Sequence, residues 1–272
     1  MRHIIDVWII FICLMLFNSV CFSYERIISL APNITEMLYA LDVDDKLVGV
    51  TEYSNYPPEA QNKPKVGTFI HPCIESIISL EPDLVLALEN ATPLSVITRL
   101  REVGIKVLVL KNGGLETIWD HLFLLGSFLN KKRKARMLIK RLKEKIVFLC
   151  KKVKDLKKPK VFWQIGIKPL VTCGKLSYHH ELITLAGGIN IVNENTAYCV
   201  YNLEKVLEAK PDVIIVSDMD GKIAEAFWRQ FGTIHSQIYT VDSNIFDRPS
   251  PRVVEALKKL IEILHPNVSI KP

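Results

Sequence analysis

The sequence predicts an α/β protein of two β/α lobes, each with a mostly parallel central sheet, joined by one long α-helix, with a ligand cleft between the lobes. Three observations predict it. Short aliphatic, β-branched runs alternate with helix-period segments from Arg26 to Leu110, the pattern of parallel strands covered on both faces. The alternation gives way to one long amphipathic segment and restarts after Pro159. The stretch Leu80-Glu81-Pro82-Asp83-Leu84-Val85 returns as Glu208-Ala209-Lys210-Pro211-Asp212-Val213, a helix end, a Pro-Asp turn and an apolar strand in each half. Open parallel sheets accept ligands at their carboxyl edges, and two facing edges make a cleft. The expected boundaries are a signal peptide over 1–23, an N-terminal lobe over 24–129, a linking helix over 130–157 and a C-terminal lobe over 158–272.

In chain order, Met1-Arg2-His3 is a short basic start, Val7 to Phe17 is an unbroken apolar run, and Cys21-Phe22-Ser23 offers small residues for a cut after Ser23. That order describes a secretory signal peptide. The alternative is a retained anchor, but the apolar run is shorter than the roughly 20 residues that span a bilayer. Arg26–Leu30 reads as a strand. Asn33, with Glu36 three residues on, makes a helix-start signature before Met37, Leu38 and Leu41. Lys46–Val50, Asp83–Ala87 and Lys106–Leu110 read as further strands, with helices over Glu75–Leu80 and Pro93–Val103. From Asn130 to Leu156, apolar residues at Leu138, Ile139, Leu142, Ile146, Leu149, Val153 and Leu156 recur three or four apart, which is one long amphipathic helix. After it come a strand at Lys160–Gln164, helices at His179–Ala186 and Leu203–Ala209, a strand at Asp212–Ser217, a helix at Lys222–Phe231, a strand at Gln237–Val241 and a closing helix at Pro251–Leu264.

The chain has 272 residues, 49% hydrophobic and 24% charged, enough for one large domain or for two lobes with separate cores. Its net charge of +6 says little about fold. The run Lys131-Lys132-Arg133-Lys134-Ala135-Arg136 opens the long helix without interleaved aromatics, so it reads as a solvated helical face and not as a nucleic-acid patch. The sequence has no Gly-rich phosphate loop and no nucleophile elbow, which weighs against an enzyme. Downstream of the signal peptide lie Cys73, Cys150, Cys173 and Cys199. Two bridges can form in an oxidising compartment, although a chain of this size does not need them.

Four motifs carry a resemblance. Arg26-Ile-Ile-Ser-Leu-Ala-Pro-Asn-Ile-Thr-Glu36, Tyr53-Ser-Asn-Tyr-Pro-Pro58, Glu81-Pro-Asp-Leu-Val85 and Ser250-Pro-Arg252, in that order and spacing, resemble the helical-backbone periplasmic binding proteins (class III) that serve cobalamin, haem and iron–siderophore ABC importers. Gln164-Ile-Gly-Ile-Lys-Pro169 and Phe246-Asp-Arg-Pro-Ser-Pro-Arg252 resemble the cobalamin-binding members most closely. The resemblance implies a monomeric, exported receptor without cofactor or catalysis, carrying a corrinoid or another metal chelate. Haem and iron–siderophore cargoes are the alternatives, and a chelatase-like enzyme is a remote one. A free-metal receptor would need three histidines and a carboxylate from separate loops, a set that the sequence does not assemble.

Carried over by position, the resemblance implies ligand contacts at Tyr53, Phe69, Leu88, Val171, Tyr198, Asn244 and Arg248. The chain departs from the cobalamin-binding pattern at several of these. Phe69 and Tyr198 stand for tryptophans, Leu88 and Val171 for aromatics, and Asn244 for aspartate. Tyr56, beside Pro57, reads as packing. Glu75 and Glu204 match the two glutamates that dock such receptors onto the permease's transmembrane subunits, or are ordinary first-turn carboxylates. His71, Cys73, Cys173, His179, His180 and Cys199 are expected in loops bordering the cleft. His71 or Cys199 is then a candidate axial ligand to a bound metal centre, and a Cys73–Cys199 or Cys173–Cys199 bridge would lock the cleft.

Overall fold

A computed structural model describes residues 24–217, 221–231 and 236–270. The expected signal peptide lies outside them. In the N-terminal lobe, β1 (Ile27–Ser29), β2 (Leu47–Val50), β3 (Leu84–Leu88) and β4 (Val107–Leu110) form a parallel sheet in the order β2-β1-β3-β4. Around it lie α1 (Pro32–Ala40), α2 (Ile74–Ser79), α3 (Leu94–Glu102) and α4 (Leu115–Phe128). Successive strand residues point to opposite faces, and both faces are buried. Ile27, Leu84 and Leu86 join a core with Met37 and Leu38 of α1 and with Ile118 and Leu122 of α4. Ile28, Val85 and Ala87 join another core with Val96, Ile97 and Leu100 of α3.

Next in the chain comes α5 (Lys132–Val153), of 22 residues and therefore roughly 33 Å long. It is the expected long helix, two residues shorter at its start and three at its end. The helix α4 before it was not expected. It buries Ile118, Trp119, His121, Leu122, Leu125 and Gly126, but Phe123 and Leu124 are exposed, so its apolar residues do not fall on one face against a polar one. Gly126 lets it pack closely on α5, because a Cβ there would lie 2.4 Å from that of Ala135.

The C-terminal lobe contains β5 (Lys160–Ile167), β6 (Leu170–Cys173), α6 (Tyr178–Leu185), β7 (Ile189–Asn190), β8 (Tyr198–Val200), α7 (Leu203–Ala209), β9 (Val213–Ser217), α8 (Gly221–Arg229), β10 (Gln237–Val241), α9 (Ser243–Phe246) and α10 (Val253–Leu264). Its sheet runs β10-β9-β5-β6-β8, with β7 beside β5. β10, β9 and β7 are parallel to β5 or to one another through it, whereas β6 and β8 are antiparallel additions. This sheet is therefore mixed. β5 runs past Gln164 and turns at Lys168-Pro169 straight into β6, and so short a connection joins only antiparallel strands. Val161 and Trp163 of β5, with Val213 and Ile215 of β9, face the same continuous core as α4, α5 and α10. Phe162, Ile214 and Val216 face outward to Trp228 and Val206. One core thus threads both lobes.

The sequence repeat has a structural cause. Asp83 accepts the backbone N–H of Glu25 (2.7 Å) and Arg26 (3.1 Å) just before β1, and Asp212 accepts that of Lys160 (2.6 Å) at the start of β5. Arg26 Nη2 caps the carbonyl of Leu80 (2.6 Å), as Lys160 Nζ caps that of Ala209 (3.2 Å). Glu81 and Lys210, just before the prolines, both adopt positive φ, 46° and 48°. Each Pro-Asp turn therefore ends a helix and anchors a central strand at once.

One expected helix start is corrected. The N-cap of α1 is Ala31, without a side-chain cap, and Pro32 opens the helix. Asn33 and Glu36 lie inside it, buried, and reach the other lobe.

Candidate ligand-binding site

The site is built where the loop after β10 meets the loop after β2. Asp242 caps α9 through Asn244 N–H (2.9 Å), and the chain then runs through Asp247 and Arg248 to Ser250. Arg248 spends its guanidinium across the lobes. Nη1 donates to Asn55 Oδ1 (2.7 Å) and lies 3.4 Å from Glu36 Oε1, while Nη2 donates to the Tyr53 carbonyl (2.9 Å) and to Asn244 Oδ1. Asn55 Nδ2 also donates to Asn244 Oδ1 (3.1 Å). Glu36, 3% exposed, accepts from Ser250 Oγ (2.6 Å) and lies 3.6 Å from Arg252 Nη1. Burial raises its carboxyl above the usual value, against the lowering by Ser250, Arg252 and Arg248. Arg252 also stacks on Tyr56, 4.0 Å from the ring centroid, so Tyr56 is a cross-lobe partner as well as packing. A second tie joins the lobes elsewhere. Glu181 of α6 accepts from Leu115 N–H at the start of α4 (2.5 Å). It fits because Gly114 has no Cβ, which would lie 2.3 Å from the carboxylate.

Beside Arg248, Asp247 organises a second group. Its Oδ1 lies 2.9 Å from His179 Nε2 and accepts from Ser217 Oγ (3.1 Å). A carboxylate only accepts, so His179 donates from Nε2, and its Nδ1 lies 3.4 Å from the Tyr198 hydroxyl. His179 is 3% exposed and packs on Trp163, centroids 4.8 Å apart. Burial, then Cys173 and Asp247, push the Tyr198 hydroxyl up to about 12, while its ring stays 48% exposed.

Of the expected contacts, Tyr53 is 54% exposed and meets Phe69 edge-on at 6.3 Å. Leu88 is half-buried at the carboxyl end of β3. Val171 is half-buried on β6, paired with Val200. Asn244 and Arg248 form the web above. Glu75 and Glu204 are both exposed in the first turns of α2 and α7. Each stands eight residues before the anchoring aspartate of its lobe, so the two occupy equivalent positions.

The soft-donor group is not assembled. His179 and His180 lie on α6 and Cys173 and Cys199 on paired strands, not in loops. Cys199 pairs with Thr172, which puts it on the face opposite to Cys173, and it packs beside Tyr201 and Leu203 on the outer core. All four described cysteines are free thiols. Burial pushes the Cys173 thiol up to about 12, which keeps it protonated and a poor ligand. No group of three or more His, Cys, Asp or Glu among the described residues could hold a metal ion. His71 is exposed in the loop of Phe69. Sequence reasoning missed Glu36, Asn55, Glu181, His179 and Asp247 as a web. The signal was the place of Glu36, Asn55 and Asp247 inside three of the quoted motifs.

Residues 27–249 match the model of a family described as periplasmic binding protein. The vitamin B12-binding protein of Salmonella typhi is 32% identical over 246 residues, covering 89% of this chain and 91% of that one. An uncharacterized ABC transporter substrate-binding lipoprotein of Bacillus subtilis is 30% identical, covering 89% of this chain and 81% of that one. The crystal structure of a periplasmic vitamin B12 binding protein of Vibrio cholerae superposes with a TM-score of 0.75 at 28% identity, covering 89% of this chain and 96% of that one.

Proposed function

The chain belongs to the periplasmic binding protein family, and from that premise we propose that it is the exported solute receptor of an ABC importer, with cobalamin or a related corrinoid as cargo. One observation carries the reading. Tyr53 and Tyr198, both about half exposed and on different lobes, are tied to the adjacent residues Arg248 and Asp247. Two half-exposed aromatic residues, one anchored through its backbone carbonyl and one through His179, suit a flat macrocycle, because stacking area provides affinity without many polar contacts. Phe69 extends the face of Tyr53, and Leu88, Val171 and Asn244 complete the rim. The names of the similar proteins from Salmonella typhi and Vibrio cholerae support the cargo, and that of the Bacillus subtilis protein supports the importer.

Glu75 and Glu204 are the docking pair. Two exposed carboxylates at equivalent positions of two lobes can each take a bidentate arginine and so orient the receptor on its permease. The lobes over 24–129 and 158–272 are then the two jaws and 130–157 the rod between them. The receptor works as a monomer, exported and cut near Ser23, and requires no chemistry. Haem is the second cargo, favoured by the exposed His71 imidazole beside Phe69.

Absorbance titration with cyanocobalamin and with haemin tests this. A corrinoid band shift is expected, with Tyr53→Ala and Tyr198→Ala each weakening binding by about tenfold. Glu75→Ala with Glu204→Ala should leave that affinity unchanged and abolish uptake through the permease. Haemin binding without corrinoid binding reassigns the cargo to haem, and binding of neither ends the reading.

A further inference from the structure

We propose that the outward face of α5 is a docking surface for an anionic phospholipid membrane. The charge distribution carries the inference. Residues 131–158 hold 14 of the chain's 35 lysines and arginines and two of its 29 aspartates and glutamates, so this segment carries +12 and the rest of the chain −6. Among the described residues, only Lys134, with Asp42, and Lys140, with Glu144, meet a carboxylate. The remaining cations along the helix are exposed, among them Arg133, Arg141, Lys145 and Lys151. Such a density of unneutralised cations on one face costs the fold self-repulsion, which an anionic surface would relieve.

The second observation separates a membrane from other polyanions. Ala135, Leu142, Ile146, Leu149 and Val153 turn inward. On the opposite side of the helix, Met137 is 63%, Val147 53% and Phe148 41% exposed. Met137 and Phe148 are eleven residues apart, about three turns, so they lie along one line between cationic flanks. An apolar line bordered by lysine and arginine is the composition of a helix that lies in the headgroup plane. Cations near a negatively charged leaflet attract it through the double layer, and the apolar side chains add burial at the acyl boundary. A nucleic acid would use the cations and could stack on Phe148, but would leave Met137 and Val147 in water. The inference takes from the proposed function only the exported location, beside a membrane, and is independent of the cargo.

Vesicle flotation of the exported chain, from Tyr24 onward, tests it, so that the apolar N-terminal segment contributes to neither vesicle type. Vesicles of phosphatidylcholine alone are compared with vesicles containing about one third phosphatidylglycerol. Binding to the anionic vesicles alone is expected, and it should fall at high salt. The quadruple variant Arg133→Gln, Arg141→Gln, Lys145→Gln, Lys151→Gln should weaken it by at least about tenfold. Met137→Ser with Phe148→Ser should weaken it further without altering charge. Both variants are expected to keep the circular dichroism and cyanocobalamin affinity of the parent. Equal binding to both vesicle types, anionic binding indifferent to the charge variant, or preference for an oligonucleotide over the vesicles each overturns the proposal.

Discussion

Glu36 shows how a residue can follow one local rule in the sequence and another in the fold. Its place three after Asn33 reads as a capping partner, yet its carboxylate is the buried hub of Ser250, Arg248 and Arg252 from the other lobe. Removing one partner of a buried pair leaves the others unpaired, so Glu36→Ala should cost about 3–5 kcal/mol of stability, read from urea midpoints. Its pH dependence has a definite sign. Burial is the largest influence and raises the folded carboxyl above 4.5, so the folded state holds this proton to higher pH than the unfolded chain does. The stability linked to that proton is complete below the unfolded value and is lost as pH rises through the folded one. The advantage of the native protein over Glu36→Gln should therefore shrink as pH is raised from about 4 to 7. An advantage that grew over that range would refute the assignment.

At the scale of elements, the α4–α5 hairpin packs closely between the two sheets' shared core residues. Gly126 is the point of closest approach, facing Ala135. Gly126→Val would drive a branched side chain into α5, and overpacking of this kind costs about 1–3 kcal/mol. Thermal denaturation should show a lowered Tm, with part of the loss restored by Ala135→Gly in the double variant; an unchanged Tm would show that the helices can part freely. The helix α5 was legible in the sequence because its stripe is sustained over six turns. The helix α4 was not, because Phe123 and Leu124 put apolar residues on its exposed side as well, and β6 and β8 were not, because strands of four and three residues are too short to show an alternation. The repeat around Pro82-Asp83 and Pro211-Asp212 was legible for the opposite reason. Its turn chemistry is local, and each aspartate holds the strand that starts beside it.

In the molecule as a whole, two sheets share one core. Residues of α1, α4, α5, β5, α6 and α10 belong to a single buried cluster, reinforced by the Glu36 web and by the seat of Glu181 on α4. The lobes are therefore expected to unfold together. Calorimetry should show one transition whose calorimetric and van't Hoff enthalpies agree; two resolved transitions would mean that the lobes are energetically separate. The same continuity limits movement of one lobe against the other.

The sequence by itself determined the two β/α halves, the rod between them, the Pro-Asp anchors and the equivalent glutamates Glu75 and Glu204, because periodicity and turn chemistry act over a few residues. The tertiary structure alone decided that Asn33 and Glu36 face the other lobe, that Cys199 turns away from Cys173, and that Asp247 and Arg248 tie Tyr198 and Tyr53 to one loop. Those contacts join residues as many as 216 positions apart. A buried charge finds its partner only when two separately specified surfaces close on each other, and nothing in the local pattern of either surface records that meeting.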